Sequence, residues 1–290
     1  MLNNNYILTF IIVQKKRSST MKYIKKNLVR MAVFASFFAI SLIYFSCSDS
    51  ASPVEGQGQI KIHMVDAPAD YDQINIVVNR VEVHQAINDS TNGWFIINNT
   101  PATYNLLTLR NGASVILGFN SLDAGHYSQI RLILGSGSNI VVNGVTYPLD
   151  VPSGEQSGIK LNHEFNIEPG VIYELLLDFD AEHSIVLTGN NQYKLKPVIR
   201  LVPMIISGTI SGKINPPSAA GVVYAISGTD TMVTVAENLF GTFKFMALLQ
   251  RTYNVQVFSA DPAYNDTTIT NVSVIAQHDT DLGTINLSIK

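Results

Sequence analysis

From Gln59 onward, apolar residues recur at every second position, and no stretch repeats with the 3.6-residue period of a helix. At the start of this region, Ile60, Ile62 and Met64 alternate with neighbours that are mostly polar. A period of two places one side of a strand in a core and the other side in solvent. The pattern therefore indicates an all-β fold, and we predict two antiparallel β-sandwich domains.

Three local features refine this prediction. Asn143-Gly144 separates two short apolar runs and fits a type I′ hairpin turn, because both residues tolerate a positive φ. The apolar positions change parity near Asn79-Arg80, which predicts a β-bulge, since one extra residue exchanges the two faces of a strand. Residues Tyr193–Val202 read as one strand, and Pro197 within it indicates an edge position, where a missing N–H donor is tolerated.

Turn density divides the chain at Val202-Pro203. Residues 59–202 predict a sandwich of eight to ten strands. Residues 203–290 contain shorter apolar runs, with turns expected at Ser207-Gly208 and Ser211-Gly212, and predict a sandwich of seven strands.

The first 46 residues have the organisation of a signal segment. Basic residues between Lys22 and Arg30 precede an uncharged apolar run of Met31–Phe45, and Ser46-Cys47 follows. A second start at Met21 makes this residue a candidate for the true initiator. A small residue before cysteine resembles the lipobox of bacterial lipoproteins, which implies cleavage before Cys47 and lipidation of its thiol. An uncleaved anchor is the alternative, and residues 47–58 form a polar tether in either case.

The charge of the chain is unevenly distributed. Seven of the 19 basic residues and none of the 22 acidic residues precede Cys47, so the chain from Cys47 onward has a formal net charge of −10. This balance argues against a nucleic-acid partner, because phosphate binding requires clustered Lys and Arg. Cys47 is the one cysteine of the chain, so no internal disulfide stabilises either domain.

Residues 59–202 resemble a family of lipoprotein domains known as domain of unknown function 4382. The stretches that carry the resemblance are Val65–Asp72, Arg80–His84, Ala124–Leu132, Val151–Gly154, Asp178–Ala181 and Leu195–Arg200. The resemblance implies no activity, since the family has none assigned.

Residues 205–288 resemble carboxypeptidase regulatory-like domains, which are prealbumin-like sandwiches. The pattern comprises Ile206–Ile210, Gly241–Phe245, Leu248 and Tyr253–Val257, although Thr252 stands where the family usually has glycine. The resemblance implies a spacer or stabilising module, in a fold grouped with carbohydrate-binding sandwiches.

Acidic residues near the end of one predicted strand suggest a cation site. Asp178 and Asp180 share a parity, and Asp66 could join them from a loop. Carboxylate oxygens at this spacing suit Ca²⁺, although the turn glycine of a calcium loop is missing. The simpler interpretation, which we favour, is a solvated sheet face, so we expect no cofactor and treat Ca²⁺ as the alternative.

Two aromatic residues are further candidates for ligand binding. Trp94 follows a polar loop and would suit stacking on a sugar ring, although its place at the start of an apolar strand is also typical of a core residue. His163 lies on the apolar parity of its strand, where a core histidine bonded to neighbouring backbone is the simpler interpretation.

No catalytic or nucleotide-binding motif is recognisable. Gly135–Ser138 lacks the glycine placement and strand-to-helix context of a nucleophile elbow, and the six histidines show no metal-binding spacing. We therefore predict a non-enzymatic, lipid-anchored protein of the cell envelope, in the outer membrane, with the periplasmic or surface face left open. Its expected role is structural or adhesive, with other envelope proteins as partners. Glycan binding and calcium-dependent binding are the alternatives.

Overall fold

The computed structural model describes residues 56–86, 93–152, 157–190 and 192–290. Cys47 and the predicted signal segment lie outside these ranges. Strands dominate the described residues, which confirms the all-β class. The helices are short: α1 (Ala181–Ser184) and three 3₁₀ turns at Leu106–Thr108, Met204–Ile206 and Pro217–Ala219. In the described part of the chain, no helix has the length and apolar composition that a membrane span requires.

The described part of residues 57–203 contains thirteen strands. In chain order they are β1 (Gln57–Asp66), β2 (Gln73–Gln85), β3 (Trp94–Asn98), β4 (Ala102–Asn105), β5 (Val115–Asp123), β6 (Gly125–Leu134), β7 (Asn139–Val142), β8 (Val145–Asp150), β9 (Ile159–Ile167), β10 (Ile172–Phe179), β11 (Ile185–Leu187), β12 (Tyr193–Leu195) and β13 (Ile199–Pro203). The prediction of eight to ten strands was too low, because several strands have only three to five residues and little periodicity of their own.

These strands form two sheets. Sheet A has four strands in the order β13-β10-β1-β5. Sheet B has nine strands, in the order β11-β12-β8-β7-β2-β6-β9, with β3 and β4 also paired to β2. Most pairings are antiparallel, but β1 pairs with β10 and β8 with β12 in parallel, so the sandwich is not antiparallel throughout.

The alternating positions of both sheets meet in one core. Ile60, Ile62 and Met64 of β1 are fully buried and face Ile74 and Ile76 of β2 within the same cluster. Each large aliphatic side chain buried in this way stabilises the fold by about 1.5–3 kcal/mol relative to exposure. With no disulfide in the described residues, apolar burial is the main source of stability in this sandwich.

The second sandwich contains seven strands, as predicted. They are β14 (Ser207–Asn215), β15 (Val222–Ser227), β16 (Asp230–Val235), β17 (Thr242–Leu249), β18 (Thr252–Val257), β19 (Thr267–Ser273) and β20 (Asp279–Asn286). Sheet C has the order β17-β14-β20 and sheet D the order β16-β15-β18-β19. The pairing of β14 with β20 is parallel. Phe243, Phe245, Val223 and Val255 belong to the core that these sheets enclose.

The two sandwiches share no strand but are joined by a small apolar cluster. Its buried members are Val65, Leu176, Val202 and Ala247, and Met204, Met246 and Leu249 pack around them. We call these seven residues the junction cluster. Val65 and Leu176 belong to β1 and β10, whereas Ala247 belongs to β17, so the cluster connects one face of sheet A to sheet C.

Hydrogen bonds from Asn111 reinforce the junction. Its Oδ1 accepts a bond from the Lys244 N–H at 2.5 Å, and its Nδ2 donates to the Thr242 carbonyl at 3.3 Å. Asn111 adopts a φ of 56°, which asparagine tolerates better than most residues. A loop of the first sandwich is therefore bonded to the backbone of β17 in the second.

The local predictions had mixed outcomes. The Asn143-Gly144 hairpin is confirmed, with φ values of 51° and 76°, and the bulge is confirmed by a register shift between Val78 and Arg80. The single strand over Tyr193–Val202 is wrong. Pro197 lies in a break between β12 and β13, which belong to different sheets.

The turns predicted at Ser207-Gly208 and Ser211-Gly212 are also wrong, because both lie inside β14. The glycines are required there by close packing. A Cβ on Gly208 would lie 2.3 Å from the Ile275 carbonyl oxygen, and one on Gly212 would lie 2.7 Å from the Phe243 ring.

Candidate functional site

The three predicted aspartates lie at the end of sheet A that adjoins the second sandwich. Asp66 is the last residue of β1, and Asp178 precedes the last residue of β10. β10 ends at Phe179, so the expectation that Asp180 continues the strand face of Asp178 is wrong. Asp180 instead caps α1, where its side chain accepts a bond from the His183 N–H at 3.1 Å.

Asp178 is bonded to an arginine that the sequence did not reveal as its partner. Asp178 and Arg200 are paired across β10 and β13, and Arg200 Nη2 donates to Asp178 Oδ2 at 2.8 Å. Burial raises the pKa of the Asp178 carboxyl, while the Arg200 guanidinium opposes that rise. No sequence signal identified this pair, because it depends on the register between β10 and β13, which are separated in the chain by α1, β11 and β12.

Asp66 is the most unusual of the three carboxyl groups. It is 7% exposed, its Oδ1 accepts a bond from the Ala181 N–H at 3.1 Å, and its Oδ2 is buried without a hydrogen-bond partner among the described residues. Burial raises the pKa of Asp66 to about 8, and the nearby charges of Asp178 and Asp180 add to the rise. Near neutral pH the group is therefore largely protonated, which suits a carboxyl group in an apolar environment.

A small cavity of about 30 Å³ adjoins Asp66 and Asp178 at the junction between the sandwiches, with Lys244 and Met246 among its other lining residues. Such a volume is enough for one water molecule. Asp66 is in register with the core residue Phe179, and Asp178 is in register with Val65 of the junction cluster. Because side chains alternate between faces, the two carboxyl groups start from opposite faces of sheet A.

Among the described residues, no three His, Cys, Asp or Glu side chains are arranged to hold a metal ion. The chemistry of the carboxyl groups points the same way: one is bonded to Arg200, one caps a helix and one favours its protonated form. The calcium hypothesis stays a prediction, and these three roles argue for the structural alternative.

Trp94 lies on the face of sheet B that points away from the core. The Arg131 guanidinium lies 3.9 Å from the centroid of the Trp94 ring, and the His84 ring packs against it edge-on at 5.0 Å. Arg131 also pairs with Glu82, which is 4% exposed. The ring is thus partly buried under a cation, so a sugar would have to stack elsewhere on Trp94.

His163 lies on the core side of β9, as its parity predicted. Its Nε2 is 3.0 Å from the Tyr173 hydroxyl, and its ring stacks on Phe165 with centroids 5.9 Å apart. The partner is therefore a side chain and not the backbone. Burial lowers the pKa of His163 and raises that of Tyr173 to about 12, so the pair is uncharged at neutral pH and behaves as part of the core.

The family model described as "Domain of unknown function (DUF4382)" matches residues 57–197. Most of the first sandwich is therefore similar to this family, and β13 lies beyond the match. The match extends from the start of β1 to just beyond β12, and so includes Asp66, Asp178 and Asp180 as well as Trp94 and His163. The resemblance of residues 205–288 to carboxypeptidase regulatory-like domains stays a prediction.

No curated protein matches the chain. Among solved structures, a type II cohesin–X-dockerin complex from Acetivibrio cellulolyticus is 28% identical over 28% of this chain and 58% of that chain, with a TM-score of 0.23. This chain therefore covers less than two thirds of the length of that relative.

Two pilins match over more of the chain at lower identity. The minor pilin GBS52 of Streptococcus agalactiae is 11% identical over 79% of this chain and 96% of its own, with a TM-score of 0.22. The shaft pilin SpaA of Lactobacillus rhamnosus GG is 6% identical over 81% and 98%, with a TM-score of 0.23. Likenesses with TM-scores this low carry no information on function.

Proposed function

We propose that this chain is a non-catalytic, lipid-anchored protein of the cell envelope whose two sandwiches act as a structural or adhesive module. The observation that carries the proposal is the junction between them. Val65, Leu176 and Val202 of the first sandwich form one buried apolar cluster with Ala247 of the second sandwich. Apolar packing between the two domains restricts their relative motion, and a spacer or an adhesive stalk requires such a restriction.

The anchoring half of the proposal rests on the sequence. Gly56, where the described structure begins, lies nine positions after Cys47. An extended chain spans at most about 3.3–3.6 Å per residue, so a tether of this length reaches roughly 30 Å. Lipidation at Cys47 would hold the joined sandwiches within that distance of the bilayer, which places their surfaces where envelope partners are found.

The glycan and calcium alternatives stay predictions. Trp94 would be the sugar platform, but Arg131 lies over its ring. Asp66, Asp178 and Asp180 would be the cation ligands, but each has a structural role. Neither alternative is favoured by a specific contact in the described residues.

Lipid attachment is tested with the full chain expressed in a bacterial host supplied with an alkyne-labelled fatty acid. The wild-type chain is expected to carry the label and to partition into the membrane fraction. Cys47→Ala removes the thiol that would be acylated, so this variant is expected to lose the label completely. The neighbouring variant Ser48→Ala serves as the control and should be labelled like wild type. Labelling that persists in Cys47→Ala, or is missing from wild type, contradicts the proposal.

A further inference from the structure

A cavity of about 550 Å³ lies beside the junction cluster, between β10 of the first sandwich and sheet C. Its volume falls within the range of about 300–1,000 Å³ that is usual for small-molecule sites. One wall is apolar and consists of Ile172, Leu176, Met204, Ile205 and Met246. Both sandwiches contribute to it, so neither domain would form the cavity alone.

Two residues of this apolar wall are strongly exposed. Ile172 is 46% exposed and Ile205 is 66% exposed, although β-branched aliphatic side chains are usually buried. They border a concave surface that also includes the partly buried Met204 and Met246. An aliphatic ligand group in the cavity would cover both isoleucines and remove their apolar area from water.

Glu174 supplies an acceptor at the cavity. Its Oε1 accepts a bond from Lys61 Nζ at 3.2 Å, whereas its Oε2 faces His63 Nε2 at 3.9 Å, beyond hydrogen-bonding distance. Burial lowers the pKa of His63, so this imidazole is neutral at pH 7 and does not neutralise the carboxylate. Glu174 Oε2 is thus directed at a neutral ring and can accept a bond from a ligand.

His278 supplies a second acceptor. Its Nδ1 lies 2.8 Å from the Ala276 carbonyl oxygen, which can only accept, so Nδ1 carries the proton. In the neutral ring Nε2 is then an acceptor. The adjacent Asp279 adds negative charge, but its own oxygens are already bonded to the hydroxyls of Thr209 and Ser211 and paired with Lys244.

We propose that this cavity binds a primary ammonium group carried on an aliphatic chain. The ammonium group donates to the acceptors of Glu174 and His278, and the chain packs on Ile172, Ile205 and the methionines. The charged residues that line the cavity, Glu174 and Asp279, are both acidic, so an anionic ligand is disfavoured. The same chemistry occurs in a free alkylamine and in a lysine side chain of a protein partner. The inference does not depend on lipidation of Cys47.

Calorimetric titration of the full chain in a non-ionic detergent tests this, with every titration repeated into detergent alone. The probes are n-butylamine, n-pentylamine and n-hexylamine, with n-hexanol and hexanoate for comparison. Each added methylene that is buried is worth about 0.8 kcal/mol, so affinity should rise about fourfold per methylene. Hexanol should bind more weakly than hexylamine, and hexanoate more weakly still.

Two variants separate the polar from the apolar contribution. Glu174→Gln keeps the shape of the side chain and should weaken hexylamine binding about tenfold, because a charge-assisted hydrogen bond is lost. Ile205→Ser, at an exposed position, should flatten the dependence on chain length. The matched controls are Glu164→Gln in β9 and Leu239→Ser, which is 76% exposed; both lie away from the cavity and should bind as wild type does.

A lysine probe distinguishes the two sources of the ligand. Competition by Nα-acetyl-lysine N-methylamide assigns the site to a protein side chain, whereas amine binding without such competition assigns it to a free amine, and both results support the proposal. Three results overturn it: hexanol that binds as tightly as hexylamine, affinity independent of chain length, or unchanged binding in Glu174→Gln.

Discussion

At the scale of the residue, the environment decides what each predicted side chain does. Asp66, Asp178 and Asp180 differ little in sequence context, yet one favours protonation, one pairs with Arg200 and one caps α1. The causes are local. Asp66 is buried and its Oδ2 has no hydrogen-bond partner among the described residues, Asp178 lies opposite a cation on the neighbouring strand, and Asp180 lies beside a free N–H at the start of a helix. Carboxyl groups that look alike in sequence therefore do not form a site unless strand register brings their oxygens together.

The raised pKa of Asp66 makes stability depend on pH. The carboxyl group has an ordinary pKa of 3.8 in the unfolded chain and about 8 in the fold, so between these values the folded state binds more protons. The free energy of unfolding should then fall as pH rises from about 4 to 8, by up to about 1.4 kcal/mol per pH unit from this group. Above about pH 8 the stabilising contribution of the protonated Asp66 carboxyl group is lost, and this group no longer makes the free energy of unfolding depend on pH.

Asp66→Asn tests this prediction, because asparagine imitates the protonated carboxyl group and keeps the oxygen that accepts from the Ala181 N–H. Urea denaturation of both proteins from pH 5 to pH 9 should show that the variant gains stability relative to wild type as pH rises. Stability curves that run parallel over this range would show that the Asp66 carboxyl group is ionised in the fold.

At the scale of the element, the alternation of apolar residues and the turn-forming residues predicted a hairpin and a bulge correctly. The hairpin of β7 and β8 and the bulge in β2 both follow from single residues. The turns predicted at Gly208 and Gly212 were wrong, because both residues lie within β14. Glycine is needed at these positions because the Ile275 carbonyl and the Phe243 ring approach too closely to leave room for a Cβ. A glycine needed for packing and one needed for a turn look alike in sequence.

The β7–β8 turn gives a prediction at this scale. Gly144 has a φ of 76°, and a Cβ added there meets no atom within 4 Å, so Gly144→Ala changes only the backbone preference. A positive φ costs an L-residue roughly 1–2 kcal/mol, so the free energy of unfolding should fall by about 1 kcal/mol. The N–H of residue 144 can still donate to Asp72 Oδ2, so the substitution does not remove this hydrogen bond.

Gly189→Ala is the matched control for urea denaturation. This glycine also has open space around its Cβ position but lacks a positive φ. Gly189→Ala should change the free energy of unfolding little, or raise it slightly by restricting the conformations of the unfolded chain. Equal effects of the two substitutions would mean that the positive φ of Gly144 does not cause the loss of stability.

At the scale of the whole molecule, the junction cluster determines how the two sandwiches behave together. Leu176 is 2% exposed although it projects from the side of β10 opposite the first core. In the first sandwich without its neighbour, this side chain would face water. Leu176→Asp should therefore leave the first sandwich folded while it weakens the junction, because a carboxylate in an apolar cluster costs several kcal/mol.

Chemical denaturation followed by both far-UV circular dichroism and limited proteolysis measures this coupling. Wild type should unfold in one transition, whereas Leu176→Asp should show two, with protease cleavage between the sandwiches preceding the loss of strands. Val171→Asp, at a position 49% exposed just before β10, is the control and should unfold like wild type. A single transition with an unchanged midpoint in Leu176→Asp would show that the junction does not couple the domains.

The sequence by itself determined the class of the fold. Period-two alternation gave the all-β class, the Asn-Gly pair gave the hairpin and the parity change gave the bulge, because each depends on neighbouring residues alone. The count of seven strands in the second sandwich followed from turn spacing in the same way.

Only the tertiary structure decided which strands are neighbours. The parallel pairing of β1 with β10, the Arg200 partner of Asp178, the raised pKa of Asp66 and the cavity beside the junction cluster all depend on contacts between residues far apart in the chain. Periodicity tells which face of a strand is buried but carries no information on what lies opposite. For that reason the sequence did not reveal the partners of the candidate site residues, and the cavity formed by both sandwiches was missed.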